Sequence, residues 1–277
     1  MLVALAEQNS TSERLKQGIT QVLSIIDGLH QPWLDGMELL EDAQWNKRIL
    51  SMGCERIDMF LQGGLHEGHL TELVGPSSSG KTQVCLRAAS SVAKNYLDSV
   101  LFLDTCNSFS PKRIAQIVGQ ISDSDNKEVN KVIQRVMNSI VYHAVFDIYT
   151  LLNVLHRLEF NLRSQKGSQV RLLIVDSISS LISPILGGNG TNGRALMTSA
   201  GILLKKLAQQ HNFAVLVTNH MVAGERGILK PALGESWKSI PHVRLQLSRD
   251  HGSNICNMSI IRHPLMASGE EVKFMIL

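Results

Sequence analysis

Apolar positions in this chain switch between two periods, and the switching predicts alternating strands and helices. Short runs at His69–Val74, Val100–Asp104, Ile140–Ala144, Val170–Asp176 and Phe213–Asn219 have the length of strands, and the apolar run of Val100–Asp104 reads as a buried one. Between them the spacing becomes helical. From Thr82 to Tyr96 apolar residues fall at Val84, Cys85, Ala88, Ala89, Val92 and Ala93. Pro111 opens another helix at its favoured first position, and Val129–Met137 continues the helical pattern. Tyr149–Ser164 reads as a long helix with Leu151, Leu152, Leu155, Leu158 and Leu162, and Arg194–His211 forms the last helix. After Asn219 only strand-like runs remain, at His242–Ser248, Ile255–Ile261 and Val272–Ile276. The predicted fold is α/β, a mostly parallel sheet with helices on both faces and C-terminal antiparallel strands.

Residues 1–50 break this rhythm. Ser12–Leu29 reads as one amphipathic helix and Gln31–Gly36 as a break, too little to build a core. The expected division is a residual N-terminal helix and linker over 1–50 and a single core over 51–277. With 277 residues, 44% of them hydrophobic, one large core is affordable. A formal charge of +3 permits nucleic-acid contact without requiring it. Cys54, Cys85, Cys106 and Cys256 form no C-x-x-C pair, which argues against a disulfide framework or a metal cluster and for a reducing compartment. No apolar run approaches the ~20 residues that span a bilayer, and the start lacks a basic leader, so a soluble intracellular protein is expected.

Chemistry enters at Gly75-Pro76-Ser77-Ser78-Ser79-Gly80-Lys81-Thr82, a full match to G-x-x-x-x-G-K-[ST] between a strand and a helix. The two glycines free the backbone so that successive N–H groups can face phosphate oxygens. Lys81 is expected to reach the outer phosphates of ATP, and the Thr82 hydroxyl to ligate Mg²⁺. The apolar strand ending in Asp176 supplies the carboxylate such a metal needs. An Asp in that place can also cap the following helix, but the upstream loop favours the metal role.

The succession of this loop, Asp104-Thr-Cys-Asn-Ser-Phe-Ser-Pro-Lys-Arg113, Leu172-Leu-Ile-Val-Asp-Ser177 and Leu216-Val-Thr-Asn-His220 resembles the RecA/RadA family of recombination ATPases. Lys230-Pro-Ala-Leu-Gly-Glu-Ser-Trp237, followed by Pro241-His-Val-Arg-Leu245, is similar to the eukaryotic recombinase paralogues, and within them to a plant-like, D-type branch shortened at its N-terminus. The resemblance implies a RecA-like ATPase core from about residue 51. It also implies a role as mediator of homologous recombination and double-strand-break repair in the nucleus. The implied partners are single-stranded DNA and other recombinase paralogues in a hetero-oligomer. A scaffold that binds nucleotide but no DNA, and an active strand-exchange ATPase, stay open as alternatives.

Residue by residue, the family's catalytic Glu is replaced here by Cys106, and a thiol cannot polarise water as a carboxylate does. Asp104 faces the same side but is shorter in reach, so slow hydrolysis is expected, with Lys81, Asp176, Asp104 and His220 as the catalytic set. His220 stands where the recombinases carry a Gln that senses the γ-phosphate. Arg113 matches the Arg that lies against the adenine. Two segments match the family's DNA-binding loops, Ser183–Arg194 and Met221–Lys238, the latter with Arg226, Lys230 and Lys238. Residues 30–50, with Trp33, Leu34, Leu39, Leu40 and Trp45, are the expected partner surface. Arg262 is expected to form a structural ion pair or to serve a neighbouring subunit's phosphates.

Overall fold

The computed structural model describes residues 35–45, 48–96, 100–121, 126–164, 170–186, 191–224, 227, 229–250 and 252–276. The chain divides into two compact units, Met1–Asn46 and Lys47–Leu277. The predicted helix at Ser12–Leu29, and Trp33 and Leu34, lie outside the described residues. What is described of the first unit is α1 (Gly36–Trp45). Asp35 caps it, accepting from the N–H groups of Met37 and Glu38, while Glu38 accepts from the Asp35 N–H.

In the second unit β1 (Ile49–Leu50) pairs antiparallel with β2 (Leu65–His66), with α2 (Glu55–Phe60) between them. The main elements follow in order: β3 (Leu70–Gly75), α3 (Lys81–Asn95), β4 (Val100–Asp104), α4 (Pro111–Ile121), α5 (Asn126–Asn138), β5 (Ile140–Ala144), α6 (Ile148–Ser164), β6 (Leu172–Asp176), α7 (Ile178–Leu186), α8 (Thr191–His211) and β7 (Ala214–Ala223). They are followed by β8 (Leu229–Pro231), α9 (Gly234–Lys238), β9 (Val243–Arg249), β10 (Ile255–Arg262) and β11 (Glu271–Met275). Among the described residues the large sheet runs β11-β10-β9-β3-β7-β6-β4-β5, with β8 paired to β7.

The runs of the inner strands β3, β4 and β6 are covered on both faces, whereas the edge strand β5 leaves Val141, Tyr142 and His143 exposed. On β6, Leu172 and Ile174 enter the core beneath α3, α4 and α5, whereas Leu173 and Val175 enter the core beneath α6, α7 and α8. β3, β7, β6, β4 and β5 are parallel, β9 joins β3 in parallel, and β10 and β11 are antiparallel. Among the described residues no helix is long and apolar enough to cross a membrane.

Two sequence expectations are corrected. The stretch after Asn219 is not only strand-like runs separated by a loop. β7 continues through Ala223 and folds back antiparallel on β8, with Met221 opposite Pro231. Gly234 (φ +68°) then turns the chain into α9, whose Trp237 is fully buried and anchors it to the core. Likewise Ser183–Arg194 is helical at both described ends, in the last turn of α7 and the first of α8. Gly193 permits the two helix ends to approach closely, since a Cβ there would stand 2.2 Å from the Ile185 carbonyl.

Candidate functional site

Five adjacent strands aim their carboxyl ends at one cleft. Arg249 ends β9, the phosphate loop leaves β3 at Gly75, His220 lies on β7, Asp176 ends β6 and Asp104 ends β4. Register keeps them level, since Gly75 is opposite His220 and Asp104 opposite Asp176. In open α/β sheets this carboxyl edge is where ligands bind. Ser77, Lys81, Thr82, Cys106, Asp176 and His220 line the resulting cleft of about 410 Å³.

The loop is held open from behind. A Cβ on Gly80 (φ +97°) would overlap Ile276 Cδ1, and one on Gly75 would stand 2.6 Å from the Leu247 carbonyl, so both positions need glycine. Gly80 is also the N-cap of α3, and the first-turn N–H groups of that helix have no intrahelical partner. They face the cleft with the positive end of the helix dipole, the arrangement that suits phosphate. Lys81 Nζ donates to the carbonyls of Gly75 and Pro76, both at 2.8 Å, which spans the loop and holds the ammonium at its mouth. Burial pushes the Lys81 pKa down, and the Asp176 charge partly offsets this.

Asp176 is 4% exposed, and among the described residues its carboxylate accepts only from hydroxyls. Thr82 Oγ1 donates to its Oδ2 at 2.6 Å, Ser108 Oγ to the same oxygen at 3.3 Å, and Thr218 Oγ1 to Oδ1. A hydroxyl and a carboxylate, brought together from 94 residues apart, form the oxygen pair that a hard divalent cation takes, and the donor set fits Mg²⁺. Ser177 Oγ lies 3.1 Å from His220 Nε2, and Ser179 Oγ accepts from the His220 N–H. Burial, followed by the nearby Lys81 charge, lowers the His220 pKa, so the imidazole is neutral at pH 7.

Asp104 is fully buried and is not among the cleft-lining residues. Its carboxylate accepts from the N–H groups of Cys106, Ser108 and Phe109, and so shapes the turn that delivers Cys106 to the cleft. Arg113 sits in a neighbouring cavity with Met52, Ile57 and Gln83, and donates from Nε to Gln83 Oε1 at 2.7 Å. Gln83 borders both cavities and joins them.

A family model described as Rad51 matches residues 46–277. The chain belongs to the Rad51 family. It is similar to DNA repair protein RAD51 homolog 4 of Bos taurus, 39% identical over 223 residues that cover 79% of this chain and 67% of that protein. The corresponding Mus musculus protein is 35% identical over 230 residues, covering 82% and 68%. Meiotic recombination protein DMC1 homolog A of Oryza sativa subsp. japonica is 28% identical over 258 residues, covering 88% and 71%.

Within this Rad51-family core, sequence reasoning missed several polar positions. Ser108, Ser177 and Thr218 complete the shell around Asp176 and His220, and Arg249 enters the cleft from β9. Single hydroxyls carry no motif of their own. Arg249 had one available signal, a cation at the end of a strand in a parallel sheet. Of the candidate DNA-contacting cations, Lys230 and Lys238 are exposed, and Arg226 lies outside the described residues. Arg262 donates to the carbonyls of Lys238 and Ser239 at 3.4 Å, at the end of α9. In the first unit Met37 and Leu40 of α1 are exposed.

Proposed function

We propose that this chain is an ATP- and Mg²⁺-binding recombinase paralogue of the D type, a mediator of homologous recombination and DNA double-strand-break repair in the nucleus. The bovine and mouse relatives are named as DNA repair proteins and the rice relative as a meiotic recombination protein, which supports that role. The observation that carries nucleotide binding is the contact between Thr82 and Asp176 in a cleft that the phosphate loop itself lines.

In this reading the amides of residues 75–82 and the Lys81 ammonium bind and orient the phosphates. Thr82 and Asp176 hold Mg²⁺, which when bound neutralises phosphate charge. Arg113 and Gln83 address the base. His220, neutral and tethered to Ser177, offers a hydrogen bond to the outer phosphate and reports its presence along β7 to the β7–β8 hairpin. Cys106 occupies the position of the water-activating carboxylate, so hydrolysis is slow and nucleotide acts mainly as an effector. Residues 51–277 form the ATP-binding core, and 1–50 form a linker whose apolar residues dock on another paralogue. Lys230 and Lys238 on the hairpin and α9 track the backbone of single-stranded DNA.

Titration with a fluorescent ATP analogue tests the site. Native protein binds in the presence of Mg²⁺, and Lys81→Ala weakens binding by about 100-fold, beyond the loss of one charge-assisted contact. Cys106→Glu raises the turnover rate. Native hydrolysis that is already fast, with no gain in this variant, would refute the slow-ATPase reading. Binding to a single-stranded oligonucleotide weakens with salt at a slope of about −0.7 per phosphate contacted. A complete absence of salt-dependent binding leaves the chain as a nucleotide-binding scaffold.

A further inference from the structure

We propose that Arg249 is a phosphate-contacting residue of the nucleotide cleft, reading the outermost phosphate from within the same chain; this rests on the nucleotide reading above. Arg249 is the last residue of β9, and β9 lies directly beside β3, the strand that launches the phosphate loop. The two are in tight register, with the Leu247 carbonyl against Gly75, so the strand end cannot draw back from the loop. Two residues further on, the Arg249 side chain borders the cleft together with Ser77 and Ser78.

The guanidinium is exposed but held. Its Nε donates to the Ser253 carbonyl at 2.7 Å and its Nη2 to Asn254 Oδ1 at 3.0 Å, both from the β9–β10 turn. Nη1 has no partner among the described residues. A planar donor fixed along one edge and open along the other is pre-organised for an anion, since little rotamer freedom remains to be lost on binding.

Electrostatics point the same way. Lys81 and Arg249 are the cations among the described residues lining the cleft, and a triphosphate with Mg²⁺ still carries excess negative charge. Arg249 also borders a second cavity, shared with Ser77 and Ser78, and it is that cavity, not the nucleotide cleft, that Asp250 lines. Shared lining residues suggest the direction of the ligand: the cleft shares Gln83 with the cavity of Arg113, and Ser77, Ser78 and Arg249 with the second cavity. With the base at the Arg113 end, Arg249 meets the terminal phosphate, and it discriminates ATP from ADP.

The test measures ATP and ADP affinity of the full chain, with Mg²⁺, for native protein, Arg249→Gln and Asn254→Ala. Arg249→Gln weakens ATP binding by about tenfold and ADP binding by about threefold or less, the size expected for one charge-assisted contact. Asn254→Ala frees the guanidinium without removing it and gives a smaller loss in the same order. Ligand-free Arg249→Gln melts within about 2 °C of native, as exposed substitutions do. Native ATP affinity in Arg249→Gln overturns the proposal, and so does an equal loss for ATP and ADP accompanied by lower melting. A native chain that binds no ATP overturns the nucleotide reading itself, which separates the two failures.

Discussion

Two buried carboxylates one strand apart in the sheet, Glu72 on β3 and Asp176 on β6 with β7 between them, are treated in opposite ways. Glu72 is fully buried and accepts from Asn219 Nδ2 at 2.7 Å, Trp237 Nε1 at 2.8 Å and the Arg244 guanidinium. Its charge is matched by a buried cation, and each partner comes from a different element, β7, α9 or β9. Asp176 is almost as buried, but among the described residues its carboxylate receives only neutral hydroxyls. One carboxylate is complete within the chain and ties the fold together. The other has a hydroxyl shell that orients it, with no cation bonded to it among the described residues and only the Lys81 charge acting on it across the cleft, which leaves its oxygens free to serve as metal ligands. Burial alone therefore does not separate structural from functional acids. The charge of their partners does.

The strongest way to break this contrast is Glu72→Ala. Arg244 would be stranded at 3% exposure, and denaturant unfolding should show a loss of about 3–5 kcal/mol. A loss below about 1 kcal/mol would mean the network does not hold the core. Trp237→Phe keeps an aromatic ring but deletes one donor to the same carboxylate and leaves a void where the indole was, so about 1.5–3 kcal/mol should be lost in the same assay. Asp176→Asn inverts the pattern: the ligand-free protein should unfold no more easily than native, while Mg²⁺-dependent gain in ATP affinity falls by about tenfold. If Asp176→Asn instead unfolds like Glu72→Ala, the two acids are alike and the comparison fails.

The smallest effect lies at the opposite edge of the sheet. His242 Nδ1 accepts from the Leu70 N–H at 2.9 Å, and its ring stacks on His69. Burial, then the Lys205, His69 and Arg262 charges, lowers the His242 pKa to about 4. The folded state thus prefers neutral imidazole, and the unfolded chain takes up protons first. The contribution is fully present above about pH 6.5, the unfolded value, and is lost as pH falls toward 4. Thermal unfolding from pH 7 to 5 should show a declining midpoint, flattened in His242→Asn, whose amide oxygen can keep the acceptor role. An equally steep decline in that variant would assign the pH dependence to other groups.

Much of this was legible in the sequence, and the reasons are physical. Val100–Asp104 was readable to the residue because an apolar run has few alternatives in a parallel sheet, and Ile140–Ala144 because its β-branched and aromatic residues suit a strand even at the exposed edge. The phosphate loop was readable because its glycines and Lys81 have one common use at that spacing. The hairpin of β7 and β8 was not, since its pairing joins exposed residues such as Val222 and Lys230 with no periodic signal. Nor was the Glu72 network, whose members Glu72, Asn219, Trp237 and Arg244 meet only after the sheet has assembled. The carboxylate of Asp104 looked like a short-armed catalytic group, but its oxygens are occupied by backbone amides that no linear pattern could announce.

The support of the phosphate loop by distant strands bears on how the protein is made. Leu247, Cys256 and Ile276 prop Gly75, Ser79 and Gly80, and the Cys256–Ser79 contact joins residues 177 apart. During synthesis the loop leaves the ribosome long before its scaffold does. Nucleotide can therefore select the finished core but cannot template it, and a message cut short before β9 would yield a chain unable to grip its ligand even where most of the sheet had formed.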